Sequence, residues 1–156
     1  MAFTLSSTAF ASGGPIPTGH TCDGADGSPP LSWAGAPDGT VAFALIVDDP
    51  DAPAGTWVHW VLYDLPHTVT SLPADVAKTE HPPRLGGARQ GRNDFRKIGY
   101  GGPCPPKGPA HHYHFKLYAL DDVLGLPAGA SKRDVERAME GHLLAAAELV
   151  GTYARR

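Results

Sequence analysis

Nineteen glycines and sixteen prolines interrupt this chain of 156 residues, and that density limits the fold more than any other feature. Glycine weakens the interior of helices and strands, and proline fixes φ and removes a backbone donor, so long unbroken elements are excluded over most of the chain. Short strands joined by tight turns remain, which points to an all-β fold. Val41 to Val47 is apolar throughout and lies between Asp38-Gly39 and Asp48-Asp49-Pro50; it reads as a strand covered on both faces. Trp57 to Tyr63, rich in aromatic and β-branched residues, reads as a second strand ending at Asp64-Leu65-Pro66. In a third, His111 to Leu120, a period of two places His111, Tyr113, Phe115 and Leu117 on one face and His112, His114 and Lys116 on the other. The first face is expected to be buried and the second solvated.

A single segment carries a helical pattern. From Ser131 onward, Val135, Ala138, Met139, Leu143, Ala146, Leu149 and Val150 recur at spacings of three and four, which predicts an apolar stripe packed on the sheet. Ser131 followed by Asp134 suits an N-cap, and Gly151 supplies a stop. The stretch from His81 to Gly99, with Gly86-Gly87 and mixed charges, reads as a long surface loop. No repeat or low-complexity tract divides the chain, so residues 1–156 are expected to form one domain.

Composition excludes several functions. A hydrophobic content of 42% and the lack of a long apolar run fit a soluble protein without an integral membrane segment. A net charge of -3 with scattered Lys and Arg offers no field for nucleic acid. The opening residues lack the basic and apolar regions of a secretory signal, so a cytoplasmic location is expected.

The chemistry is concentrated in two clusters. In the first, Asp49 and Asp51 flank Pro50, and Ala52-Pro53 follows, so proline restricts where both carboxylates point. Such a turn could also hold a cis bond at Pro53. His59 lies between Trp57 and Trp60 in an apolar strand, where a polar ring needs a partner. The nearby carboxylates make an Asp–His hydrogen bond the expected solution, one that would raise the pKa of His59 and turn an N–H outward.

The second cluster runs from Gly101 to Pro106 and on to His111 and Tyr113. Gly101-Gly102 is expected to free backbone N–H groups, the prolines to stiffen the loop, and His111 and Tyr113 to supply ring and phenolic donors. That inventory suits an anion such as phosphate. No metal or other cofactor is expected, because only His112 and His114 share a face and no third ligand stands beside them.

Thr21-Cys22-Asp23-Gly24, Ser28 to Trp33, Asp48 to Pro53, Trp57 to Trp60, Gly101 to Pro106, His111 to Tyr113 and His142 to Tyr153 together resemble the phosphatidylethanolamine-binding protein family, in particular its bacterial and archaeal Raf-kinase-inhibitor-like branch. The resemblance implies a β-sandwich of two antiparallel sheets in Greek-key order, with a small pocket for phosphate-like anions or phospholipid head groups. It assigns that pocket to Asp49, Asp51, Pro53, His59, Gly102, Pro106, His111 and Tyr113 and implies a cis bond at Pro53. Asp49 would orient a histidine, His59 and His111 would face the anion, and Tyr113 would donate its hydroxyl. The family's His-Arg-Tyr triplet reads His111-His112-Tyr113 here, which replaces a strong cation by a weak one.

A non-enzymatic binding protein for a small anion or phospholipid head group is therefore the leading expectation. The alternative is an inhibitor of a serine protease or kinase acting through loops such as His81 to Gly99. A hydrolase is disfavoured because no Gly-x-Ser-x-Gly elbow or serine accompanies the histidines. An apolar surface beside the helix would suit a homodimer, as in relatives of that branch. Cys22 and Cys104 could form a disulfide, but two reduced thiols are the expectation for a cytoplasmic protein.

Overall fold

Two antiparallel sheets face each other in the computed structural model, which describes residues 2–156. The smaller sheet contains β1 (Thr4–Ser6), β2 (Leu31–Ala34) and β5 (Ser71–Leu72) in the order β1-β2-β5. The larger contains β3 (Ala42–Asp49), β4 (Trp57–Pro66), β6 (Arg89–Gln90), β7 (His111–Leu120) and β8 (Leu143–Tyr153) in the order β6-β4-β3-β7-β8. The α-helix α1 (Lys132–Met139) packs outside the larger sheet.

Strand periodicity sorts the side chains into two cores. Phe43, Leu45 and Val47 of β3, with Trp60 and Leu62 of β4 and Tyr113, Phe115 and Leu117 of β7, meet Leu31 and Trp33 of the smaller sheet. On the opposite face Ala44, Ile46, Val61 and Tyr63 pack against Val135 and Met139 of α1. All of β3 is buried, as a continuous apolar strand at the centre of a doubly covered sheet should be. Burying each large aliphatic side chain stabilises the fold by about 1.5–3 kcal/mol, which makes this strand the anchor for both layers.

The C-terminal region differs from the helical reading. Ser131 does cap α1, in a capping box in which its hydroxyl accepts from the Asp134 N–H and the Asp134 carboxylate accepts from the Ser131 N–H. The helix, however, ends at Met139, and Gly141 follows in the left-handed region at φ 81°. Leu143 to Tyr153 is a strand paired with β7 along its length. The same segment also contains a period of two, with Ala147, Leu149 and Gly151 turned inward. Pairing with the open edge of β7 satisfies the backbone and overrides the helical preference of the alanines.

The stretch 81–99 is also more than a surface loop. Leu85, Ala88, Gln90 and Asn93 are buried within it. The Gln90 side chain accepts from Trp60 Nε1 at 2.7 Å and donates to the carbonyls of Ala77 and Thr79 at 2.8 Å each. This links the loop to the main core.

Cys22 and Cys104 form a disulfide, with Cα atoms 5.4 Å apart, and not the two free thiols expected. The turn around Cys22 is held against Pro103 by a backbone hydrogen bond of 3.1 Å, and Tyr100 Oη donates to the His20 carbonyl at 2.6 Å. These contacts bring together two segments that lie 82 residues apart. Among the described residues no helix is long and apolar enough to cross a membrane.

Candidate functional site

Position 59 owes its orientation to a bulge. In the β3–β4 ladder Val47 pairs with Trp60 and Asp48 pairs with Val58, so His59 is the extra residue of β4. A bulge re-aims side chains on its strand. Strict alternation would put His59 beside Val61 and Tyr63, on the α1 face; the bulge sends Val58 there and turns His59 toward Tyr113. The loop following β6 satisfies the displaced backbone: Val58 N–H donates to Asp94 Oδ2 at 2.7 Å, and Gly101 N–H donates to the His59 carbonyl at 2.9 Å.

His59 lines a cavity of about 330 Å³ together with Asp49, Trp57, Phe95, Pro106, His111 and Tyr113. Pro53, Ala52, Ala54, Cys104 and Pro105 complete the wall. Six of the eight residues assigned to a pocket from sequence thus meet in one cavity: Asp49, Pro53, His59, Pro106, His111 and Tyr113. Asp51 and Gly102 do not. The Asp51 carboxylate lies at the surface and accepts from both the backbone N–H and Nδ1 of His112 at 2.8 Å. The His112 side-chain hydrogen bond is the first cause that holds the Asp51 pKa below the usual carboxylate value. Gly102 lines a separate cavity of about 670 Å³ beyond Phe95 and Cys104.

The loop carrying Gly102 works differently from the donor-rich cup expected of it. Gly101 N–H is spent on His59, and Gly102 N–H donates to Asp26 Oδ1 at 2.8 Å. Neither donor is free for a ligand. A side chain at 102 would collide with Asp26 and the His20 carbonyl, which explains glycine there. The loop instead contributes a carbonyl: His59 Nδ1 lies 2.6 Å from Gly101 O. A carbonyl only accepts, so Nδ1 carries the proton and Nε2 is left as the ring's second nitrogen, without a protein partner.

This arrangement corrects the Asp–His pairing expected for His59. Burial holds its pKa below the usual value for histidine, and the carbonyls of Gly101 and Gly102 and the charges of Asp49 and Asp26 oppose this only in part. The carboxylate pairs with the other histidine. Asp49 Oδ2 accepts from His111 Nδ1 at 2.7 Å, and Asp49 Oδ1 accepts from Asp51 N–H at 2.8 Å. Asp49 therefore fixes the ring of His111 and leaves its Nε2 for the cavity.

Tyr113 completes the polar set. Its ring stands edge-on to His59 at 5.2 Å and stacks on His111 at 6.5 Å. The hydroxyl is buried with no partner in the protein. Burial, reinforced by the charges of Asp49 and Asp51, raises its pKa, so the phenol keeps its proton and remains a donor.

Trp57 and Phe95 are wall residues that sequence reasoning did not assign. Phe95 lies edge-to-face with Trp57 at 5.5 Å and with His59 at 5.3 Å. An aromatic residue inside the polar run Asn93-Asp94-Phe95-Arg96 was the available signal. The peptide bonds of the described residues are all trans, so the cis bond expected at Pro53 is absent. Gly55, at φ 108°, reverses the chain instead, with its N–H donating to the Ala52 carbonyl at 3.0 Å. Among the described residues no group of three or more His, Cys, Asp or Glu is placed to hold a metal.

Comparison with known proteins agrees with this architecture. The family model described as phosphatidylethanolamine-binding protein matches residues 6–154. A UPF0098 protein of Methanothermobacter thermautotrophicus is 51% identical over 97% of this chain and 98% of its own length. Another from Aquifex aeolicus is 50% identical over 96% of this chain and 86% of its own. Among solved structures, Escherichia coli YbcL, described as a member of the mammalian phosphatidylethanolamine-binding protein family, superposes with a TM-score of 0.92 at 39% identity, covering 100% of both chains. A homologue of that family from Chlamydia trachomatis gives 0.90 at 41% identity over 99% of each chain.

Proposed function

Since the chain belongs to the phosphatidylethanolamine-binding protein family, we propose that its His59–His111–Tyr113 cavity binds a phosphate-like anion, free or as part of a phospholipid head group, and performs no chemistry on it. The observation that carries this reading is the buried, unpartnered hydroxyl of Tyr113. A buried donor without an acceptor costs about 1–3 kcal/mol, a cost that an oxyanion in the cavity would remove. His111, anchored through Asp49, would provide a second donor at Nε2 when protonated.

The lining favours binding over catalysis. It contains no Ser, Thr or Lys, and the sulfur of Cys104 is committed to the disulfide, so no free aliphatic hydroxyl, thiol or amine stands beside the histidines, and the one carboxylate, Asp49, is held by His111 and the Asp51 N–H. Apolar walls from Pro53, Trp57, Phe95 and Pro106 lower the local dielectric and strengthen each polar contact beside them.

Calorimetric titration of O-phosphorylethanolamine at pH 6 into the wild type and a His59→Ala, His111→Ala double variant tests the reading. Saturable binding that disappears in the variant supports it. Absence of binding to the wild type by this compound and by inorganic phosphate would overturn it.

A further inference from the structure

We propose that His59 selects for a ligand that brings its own proton, namely hydrogen phosphate or a phosphomonoester, over oxyanions without an O–H such as sulfate esters and phosphodiesters. The inference rests on the anion-binding reading above and narrows it to a ligand class.

The argument begins with the tautomer. Gly101 O takes the Nδ1 proton of His59 at 2.6 Å, and a carbonyl oxygen cannot reverse that role. In a neutral ring Nε2 is then a bare acceptor. The ring is 3% exposed and is enclosed edge-on by Phe95 and Tyr113. A second proton on this buried ring is disfavoured by desolvation. Among the described residues the ring's hydrogen bond is the one from Nδ1 to Gly101 O, which leaves Nε2 over on a residue that lines the cavity.

The charged and titratable groups around His59 do not change that role. Asp49 of β3 has both oxygens occupied, by His111 and by the Asp51 N–H. His111 and Tyr113 of β7 line the same cavity, and Asp94 and Asp26, which do not line it, are tied to Val58 N–H and Gly102 N–H. No Lys or Arg lines the cavity. The cavity therefore offers one certain donor, Tyr113 Oη, one certain acceptor, His59 Nε2, and His111 as a donor when protonated.

A phosphomonoester loses its second proton near pH 6, so below that its single O–H can donate to His59 while its other oxygens accept from Tyr113 and His111. A sulfate ester carries the same single negative charge in the same tetrahedral shape but has no proton. One of its oxygens would face the Nε2 lone pair, leaving two acceptors opposed. A site built around a hydrogen-bonding ligand group strongly rejects the analogue that lacks it. Phosphodiesters, the linkage in an intact phospholipid, lack the proton as well.

The test is calorimetric titration at pH 5.5 with O-phosphorylethanolamine, ethanolamine O-sulfate and glycerophosphorylethanolamine in turn. The expected result is a monoester affinity about tenfold or more above that of the sulfate, with the diester also weak. The isosteric sulfate reads the proton alone, and the diester separates a soluble monoester from a lipid source. In His59→Gln, whose amide can donate, the monoester preference should shrink toward parity, with cooperative thermal unfolding confirming a folded variant. The wild-type comparison decides even if that variant fails to fold. Equal affinities for monoester and sulfate would overturn the selectivity while leaving the anion cavity standing. No binding by any of the three would remove both.

Discussion

Asp48 and Asp49 are consecutive in β3, yet their carboxylates serve opposite faces of one sheet. Asp48 Oδ2 meets Lys132 Nζ of α1 at 2.8 Å, with Lys116 of β7 beside it, and Asp49 Oδ2 meets His111 Nδ1 in the cavity at 2.7 Å. Strand alternation separates the two roles by one residue. Asp48 ties the helix to the sheet, and Asp49 aims a histidine at the cavity.

These two positions should therefore separate stability from binding. Asp48→Asn is expected to lower unfolding stability by about 1–2 kcal/mol, below the usual cost of breaking a buried pair because both lysines reach solvent, and to leave anion affinity within about twofold. Asp49→Asn should weaken O-phosphorylethanolamine binding by about tenfold or more, because the His111 ring loses its charged partner. Denaturant unfolding and calorimetry on both variants check this. Loss of affinity in Asp48→Asn equal to that in Asp49→Asn would contradict the assignment.

Tyr113→Phe removes the hydroxyl that has no partner in the free protein. Thermal stability should be unchanged or slightly higher, since no hydrogen bond is lost and a desolvated donor is relieved. Anion affinity should fall by about 10- to 100-fold, the range for a hydrogen bond to a charged group. A marked loss of stability with unchanged affinity would show that the phenol serves the fold.

The depressed pKa of His59 sets a direction for stability against pH. The unfolded chain protonates this residue near pH 6.5, whereas the folded protein resists protonation because the ring is buried. The unfolded state then binds more protons, so the contribution is complete above about pH 6.5 and is lost as pH falls from there toward the lower folded value. Asp51, held low by His112, contributes stability that is lost only as pH falls below about 4, outside this window. Thermal midpoints measured from pH 7 to pH 5 should fall more steeply for the wild type than for His59→Gln. Parallel slopes would show that His59 does not titrate between the two states.

The disulfide closes a long loop. Across a separation of 82 residues, the chain-entropy model assigns it about 4–5 kcal/mol, so a Cys22→Ser, Cys104→Ser variant should unfold at clearly lower denaturant. The fold itself should persist, because Tyr100 still donates to His20 and Gly102 to Asp26. Mass measurement after alkylation, with and without reductant, checks that the bond is present. Disulfides persist in oxidising surroundings, so a bonded pair in freshly isolated protein would point to an oxidising compartment. Two alkylated thiols without reductant would point to a reducing one.

Much of the fold was legible in the alternation of β7, where Tyr113, Phe115 and Leu117 point inward, and in the unbroken apolar run of β3. Resemblance of motifs placed Asp49, His59, His111 and Tyr113 in one pocket, where the structure also brings them together. Three of the misread features show why the rest was not legible. Leu143 to Tyr153 is apolar enough to hold a pattern of either period, and only the free edge of β7 resolves it into a strand. Gly101 and Gly102 read as free donors because sequence does not reveal which acceptors fold against them. The two cysteines read as reduced thiols because a cytoplasmic location was expected, whereas the fold holds them 5.4 Å apart at Cα and joins them.

Local sequence by itself determined where chain segments turn, which strands are buried on one face or both, and the N-cap of α1. These follow from backbone restriction and side-chain periodicity within a few residues. Tertiary structure alone decided the orientation of His59 and the location of its proton. The bulge that turns its ring into the cavity exists only in the register between β3 and β4, and the carbonyl that fixes its tautomer belongs to a residue 42 positions away. Neither is a property of the residues around position 59, because both arise from pairing between segments that the unfolded chain does not bring together.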